Sequence, residues 1–352
     1  MGSIDREIFG TLPNGGKVEV YKLTNKNGIE AKIMTYGGTI VSLKTLDRHG
    51  DRRDIVLGFD TFAPYLRDSP YFGSLIGRYA NRIKCGSFML DNKVYQLDIN
   101  NGINHLHGGK NGFDKVMWKA YPSSTSDTTR LRMTYLSHDN EEGYPGNVSI
   151  EVSYTLTDTN ELIIDYEAIT DSTTIINLTN HTYFNLAEGG SILDHSLQIN
   201  ADNFLPVDET LIPTGEFRSV ENTPMDFRHP IKIGININAA DEQFEFAGGY
   251  DHNWILKKAH QSNEPAAIVS EPKTGRVLKV YTSQPGLQFY SGNFLNGSIR
   301  GKGGVIYNKH AGICLETQHY PDSPNNAAFP STVLQPKEVY KQTTTYAFDV
   351  LG

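Results

Sequence analysis

Cysteine is scarce in this chain: Cys85 and Cys314 are the only two in 352 residues. That excludes a disulfide framework. Both thiols sit among apolar or small neighbours and are expected to be buried and reduced. An excess of positive charge is missing too. The formal net charge is −8, which repels phosphate backbones and anionic lipid, so neither nucleic acid nor a membrane is expected as a partner. No apolar run is long enough to span a bilayer. The opening MGSIDREIFG lacks the apolar stretch of a signal peptide, and Arg6 stands where N-myristoylation asks for Ser or Thr. A cytoplasmic location is expected.

Long helical patterns are also rare, and period two recurs instead. Ser149–Thr157 reads SIEVSYTLT, with Ile150, Val152, Tyr154 and Leu156 on one face. After Asp158-Thr159-Asn160, the stretch Glu161–Ala168 alternates likewise, which predicts a hairpin. Similar strands are expected at Lys17–Leu23, Arg130–Leu136, His195–Ile199, Arg276–Thr282, Gly312–Thr317 and Thr344–Val350. No linker or low-complexity run divides the chain. The expectation is an all-β protein of large antiparallel sheets, with residues 1–352 as a single domain.

Some strands carry residues that a core does not need. In LTNHTYFNL (Leu178–Leu186) strict alternation puts His181, Tyr183 and Asn185 on one face and Leu178, Phe184 and Leu186 on the other. Asn180 falls on the apolar face, so it is expected to bond backbone locally or to mark a bulge. GRYANRI (Gly77–Ile83) holds Arg78, Asn81 and Arg82; a solvated surface turn and a binding loop weigh about equally there. NNGINHLHGG (Asn100–Gly109) holds His105 and His107, which an extended chain would aim the same way. That spacing raises the question of zinc, but no third ligand is marked out, so no metal is expected. The glycines that follow point to a close approach by a ligand or another backbone. In GGYDHNW, Asp251 is either an Asx-turn residue or a ligand for hydroxyls. In ICLETQHY, Glu316 lies in an apolar strand, where a carboxylate needs a partner or a task. Gln288 lies between aromatics in GLQFY.

The inventory lacks a serine elbow, a P-loop and a dinucleotide fingerprint. Amides and carboxylates bind hydroxyls, aromatic rings cover sugar faces, and a His–carboxylate pair moves protons. The set therefore suits acid–base chemistry on a neutral, hydroxyl-rich molecule.

Taken in order along the chain, NNGINHLHGG, LTNHTYFNL, GGYDHNW, GLQFYSGNFL and LETQHYPDSPN resemble the aldose 1-epimerase family, the galactose mutarotases. The resemblance runs from KIMTYGGTIVSL to FPSTVLQPKEVYKQTT. It implies a β-supersandwich with a sugar cleft on a concave face. It also implies the interconversion of α and β anomers of free hexoses such as galactose and glucose, with no cofactor and no metal. By the same resemblance Glu316 is the general base and His181 the general acid. His107 assists near the ring oxygen. Asn81 and Arg82 belong to the site, Asp251 binds hydroxyls, Gln288 contacts the anomeric side, and Tyr183 lines the cleft. A nearby carboxylate, Asp251 or Glu316, is expected to keep His181 charged near neutral pH. The chain departs from the pattern at His319-Tyr320, where many relatives have tryptophan before Pro-Asp.

The alternatives from the residues are a non-catalytic sugar-binding sandwich, an isomerase of another cyclic hemiacetal, and a hydrolase or lyase using Glu316 with Asp251. A sugar phosphate would call for a cluster of Arg and Lys, for which Arg78 and Arg82 give thin support.

Overall fold

The computed structural model describes residues 2–351 apart from 68, 188 and 258–263. Three antiparallel sheets make up most of it. The N-terminal sheet has five strands in chain order, Ser3–Thr11, Lys17–Thr24, Glu30–Met34, Ile40–Leu46 and Arg52–Asp54. The largest has nine strands and contains the expected hairpin, Val148–Thr157 paired with Glu161–Thr170. Tyr340–Val350 and Arg276–Thr282 extend that sheet from the hairpin.

The third sheet has six strands in the order Tyr183–Phe184, Ile313–Gln318, Gly286–Tyr290, Asp251–Leu256, Ala201–Leu205, Arg218–Ser219. One of its faces is apolar: Trp254, Leu287, Phe289, Ile313 and Leu315 join Val152, Tyr154, Ile164 and Tyr166 of the nine-stranded sheet in one core. Phe184 meets Tyr346 across that interface at 5.1 Å between ring centroids. Each such side chain contributes about 1.5–3 kcal/mol by leaving water. The alternation of a strand therefore leaves the opposite face of the six-stranded sheet for polar side chains.

The short helix Glu242–Ala247 sets up the entry to that sheet. Asp241 caps it by accepting from the Gln243 N–H at 2.9 Å, and Gly248 ends it in the left-handed region at φ 68°. The chain then reverses through Gly249, and the strand begins at Asp251.

Two expectations about local structure fail. Leu178–Leu186 is not one strand. Thr179–Asn180 pairs with Leu75–Ile76, and Tyr183–Phe184 pairs with Ile313–Cys314, so the stretch passes from one ladder to another. His181 and Thr182 lie at the crossover. Asn180 makes it: its Nδ2 donates to Gly73 O, while its Oδ1 accepts from the backbone N–H and hydroxyl of Thr182. That local bonding was the expectation for Asn180. Cys85 is exposed rather than buried, because it sits with the exposed Lys84 in a turn at φ 51°; Cys314 is buried as expected, and both are free.

Candidate functional site

Register across the six-stranded sheet assembles the floor of the site. Glu316 stands opposite Gln288, and Gln288 opposite Asn253. One step along, Tyr183, Cys314, Tyr290 and Asp251 form the next row; one step the other way, Gln318 faces Gly286. All point away from the core shared with the nine-stranded sheet by the two-residue repeat of a strand, and Tyr183, Tyr290 and Cys314 pack in a second apolar cluster on this side. The Gln288 amide donates to Asp251 Oδ1 at 2.8 Å, so Asp251 is no Asx-turn residue. Among the described residues, several buried atoms of this floor have no protein partner: Gln288 Oε1, Glu316 Oε2, and both amide atoms of Asn253 and of Gln318. Unpaired buried polar atoms are costly, and a polyhydroxyl ligand or water would satisfy them.

Loops bring the remaining groups over this floor. His181, from the crossover, places Nε2 3.6 Å from Glu316 Oε1. His107, His181 and Glu316 offer ligand atoms within 4.8 Å of one another. His107 sits at φ 52°, a turn that sends His105 elsewhere. The His105 ring is held by Asp98 O and the Tyr144 hydroxyl, so the two histidines do not point together. The turn needs Gly108: at φ 82°, a Cβ there would stand 1.8 Å from Gly77 O, so the close approach is to another backbone. Arg82 Nη1 lies 3.7 Å from Asp251 Oδ2, and its Nε donates to Asn101 Oδ1 at 3.0 Å. Asn81, at φ 65°, donates its backbone N–H to His107 Nδ1 at 3.1 Å.

All eight expected site residues are thus buried and linked in one cluster: Asn81, Arg82, His107, His181, Tyr183, Asp251, Gln288 and Glu316. Two neighbouring residues are not part of it. Arg78 is buried, not solvated. Its guanidinium donates to Ser137 Oγ and to the carbonyls of His138, Pro145 and Gly146, which makes it a tie between loops. It is therefore not available to a phosphate. Asn185 shares no cleft with His181, since its amide is spent on Gly190 O and Ala311 O.

Burial dominates the electrostatics. It pushes Glu316 well above the usual carboxylate range; Asp251 adds to the rise and Arg82 opposes it. It pushes His181 down to about 4. His107 also falls well below its ordinary value, through burial and then the charges of His181 and Arg82. The nearby carboxylate therefore does not keep His181 charged, as the sequence led one to expect. In a dry setting both partners of the pair favour their neutral forms.

The cluster of two histidines and a glutamate is a donor set that zinc uses. The tautomer of His107 decides against that use. Its Nδ1 accepts a backbone N–H, so the neutral ring carries its proton on Nε2. That nitrogen is a hydrogen-bond donor and has no lone pair for a metal.

Residues that the sequence motifs did not single out complete the site. Asn253 and Gln318 belong to the floor, and counting by twos from Asp251 and Glu316 reaches both. Tyr71 lies over both histidines, with ring centroids 4.7 Å from His107 and 5.7 Å from His181. No strand parity marks it. Tyr320 is buried against Phe329 and Phe217 beside the floor, and its Cδ1 is 3.0 Å from where a Cβ of Gly286 would be.

The fold is a sandwich of antiparallel sheets whose polar sheet face gathers a buried histidine–carboxylate pair and unpaired amides, and comparison with known proteins gives its family. The family model of aldose 1-epimerase matches residues 19–347. Galactose mutarotase of Sus scrofa is 47% identical over 353 residues, covering 99% of this chain and 100% of that one. Aldose 1-epimerase of Escherichia coli is 37% identical over 345 residues, covering 97% and 98%. The crystal structure of galactose 1-epimerase from Lactobacillus acidophilus superposes with a TM-score of 0.88 at 32% identity, covering 99% of each chain. An aldose epimerase homologue from C. elegans gives 0.87 at 32% identity, covering 94% and 98%. The chain belongs to the aldose 1-epimerase family, and it is an epimerase of the isomerase class.

Proposed function

We propose that the chain interconverts the α and β anomers of free hexoses, galactose and glucose among them, by general acid–base opening and closing of the pyranose ring. The observation that carries this reading is the His181–Glu316 pair, 3.6 Å apart above a floor of unpaired buried amides. The names of the relatives, galactose mutarotase and aldose 1-epimerase, support the substrate class.

Glu316 takes the proton of the C1 hydroxyl, and His181 gives one to the ring oxygen. The C1–O5 bond breaks, leaving an open-chain aldehyde. Rotation about C1–C2 presents the other carbonyl face. Closure reverses both transfers, with acid and base exchanging roles. No electrons are gained or lost, so no redox cofactor is called for. The neutral pair and the ion pair hold the same number of protons, and one transfer separates them. Burial makes each ionised partner more reactive: a desolvated imidazolium is a stronger acid and a desolvated carboxylate a stronger base. His107 donates from Nε2 toward the ring oxygen. Asp251, Arg82 and Asn81 bind distal hydroxyls, Gln288 the anomeric side, and Tyr183 walls the cleft.

We read the chain as one cytoplasmic domain. Its site draws on residues from Tyr71 to Gln318, and an exposed free thiol at Cys85 suits a reducing compartment. Among the described residues no helix is long and apolar enough to cross a membrane.

Polarimetry of freshly dissolved α-D-galactose and α-D-glucose tests the reading. Faster relaxation with the protein than in buffer is expected for both. A folded protein that accelerates neither would move the substrate to another hemiacetal.

A further inference from the structure

His181 has an unusual support. Among the described residues, no hydrogen bond to another residue holds either of its ring nitrogens. Nδ1 is buried without a partner, and Nε2 meets only Glu316, at 3.6 Å. A working histidine usually has its second nitrogen fixed by a carbonyl or carboxylate. His107 has its Nδ1 fixed too, though by a donor, the Asn81 N–H. For His181, aromatic rings are in that place. Tyr183 lies near-parallel to it at 5.0 Å and 23°, and Tyr71 at 5.7 Å and 24°. Tyr71 also meets the edge of His107 at 4.7 Å and 66°.

The turn that carries Tyr71 is tied to the turn that carries His181. Gly73 N–H donates to His181 O at 3.0 Å, and His181 N–H donates to Ser74 O at 2.9 Å. Asn180 Nδ2 donates to Gly73 O at 2.9 Å. The hydroxyl of Tyr183 donates to the carbonyl of Pro70, next to Tyr71, at 3.1 Å. Tyr71 itself is held at φ 65°, in the left-handed region that a large side chain rarely adopts. The backbone thus holds a sparsely populated conformation, and this conformation lays the ring over two buried histidines. Tyr71 is the partly exposed member of the group, whereas His107, His181 and Tyr183 are buried.

We propose that Tyr71 is a positioning residue for the acid–base step, holding the His181 imidazole by stacking where no hydrogen bond does and keeping water from it. This rests on the role of His181 given above. Its Nε2 then stays aimed at Glu316 and the substrate oxygen. Nδ1 keeps its hydrogen while Nε2 gives and takes the proton, so the ring needs one fixed orientation, and stacking supplies it where Nδ1 has no partner. The ring, not the phenol hydroxyl, carries the role, because stacking is a property of the face.

The test compares wild type, Tyr71→Phe, Tyr71→Asn and His181→Asn by polarimetry on α-D-galactose over a range of sugar concentration and pH. Asn suits the left-handed backbone, so Tyr71→Asn removes the ring without adding strain; circular dichroism and thermal melting check the fold. Tyr71→Phe is expected to keep kcat within about threefold, since the stacking face remains. Tyr71→Asn is expected to lose kcat on the order of 10²-fold, as small misplacements of catalytic groups do, with KM little changed. Its pH profile should also shift, because water reaches the imidazole. An unchanged kcat and pH profile in Tyr71→Asn would overturn the proposal, as would a rise in KM alone or an equal loss in Tyr71→Phe. If His181→Asn is fully active, the failure lies with the acid role of His181; if it is inactive while Tyr71→Asn is unimpaired, only the positioning role fails.

Discussion

His181 Nε2 stands 3.6 Å from Glu316 Oε1, and the two arrive from different ladders of the fold. Glu316 is fixed by the second strand of a six-stranded sheet, where it pairs with Gln288, and His181 by a crossover between short strands. Neither element alone creates the pair, so its geometry depends on how the crossover docks at the sheet. The bonds of Asn180 to Gly73 and Thr182 shape the crossover, and the pairing of Tyr183 with Cys314 docks it at the sheet.

The His107 tautomer predicts indifference to metal. With Nδ1 accepting the Asn81 N–H, Nε2 carries a proton and is no ligand. Dialysis against a strong chelator is expected to leave mutarotation unchanged, and added zinc is expected not to raise it. Polarimetry before and after dialysis checks this; loss with recovery on zinc would overturn the tautomer argument.

The buried histidines predict weaker folding in mild acid. Burial lowers His181 and His195 to about 4 and His252 to about 3, and it lowers His107 well below its ordinary value. A depressed histidine stays neutral in the folded chain while the unfolded chain takes up a proton. Stability from these groups is complete above the ordinary histidine value near 6.5 and is lost as pH falls toward 4. For His195 alone this is about 3 kcal/mol. Glu316, raised by burial, and Asp114, raised to about 6, work the other way, being protonated first in the folded chain. More histidines are lowered, His105 and His310 among them, than carboxylates are raised, Asp322 being the third, so the urea midpoint is expected to fall between pH 7 and 4.5.

Gly286 predicts a steric effect on the floor. A Cβ there would stand 2.5 Å from Asn253 Oδ1 and 3.0 Å from Tyr320 Cδ1. Gly286→Ala is expected to cost about 1–3 kcal/mol of stability, the range for overpacking. It also displaces the Asn253 amide, so KM for galactose should rise more than kcat falls. Steady-state polarimetry and urea unfolding measure the two effects separately.

Arg78 predicts a purely structural loss. Arg78→Met leaves Ser137 and the carbonyls of His138, Pro145 and Gly146 without their donor. At about 1–3 kcal/mol for each buried group left unpaired, a loss of about 3 kcal/mol or more is expected. KM of the molecules that remain folded should stay near the wild-type value, because the guanidinium points away from the cleft.

The sequence made the sheets legible wherever alternation was long. The Val148–Thr157 and Glu161–Thr170 hairpin follows from the pattern alone. Glu316 stood out because a carboxylate in an apolar strand needs a reason. The crossover at His181 was not legible. Alternation assumes one strand, and a change of ladder partner after two residues leaves no mark in hydrophobicity. The same assumption placed Asn185 in the cleft and aimed His105 with His107; a positive φ at His107 breaks that parity. Tyr71 was invisible because its role depends on a loop conformation rather than a repeat. The charge of His181 was misjudged because a nearby carboxylate was visible in the motifs and the depth of burial was not.

The most direct test of the account is the rate of α-D-galactose mutarotation by purified Glu316→Gln, compared with wild type under the same conditions and with folding confirmed by thermal melting. The account predicts a folded protein slowed by about 10²–10⁴-fold, the usual cost of removing an acid–base group. A folded Glu316→Gln that turns galactose over at the wild-type rate would contradict it.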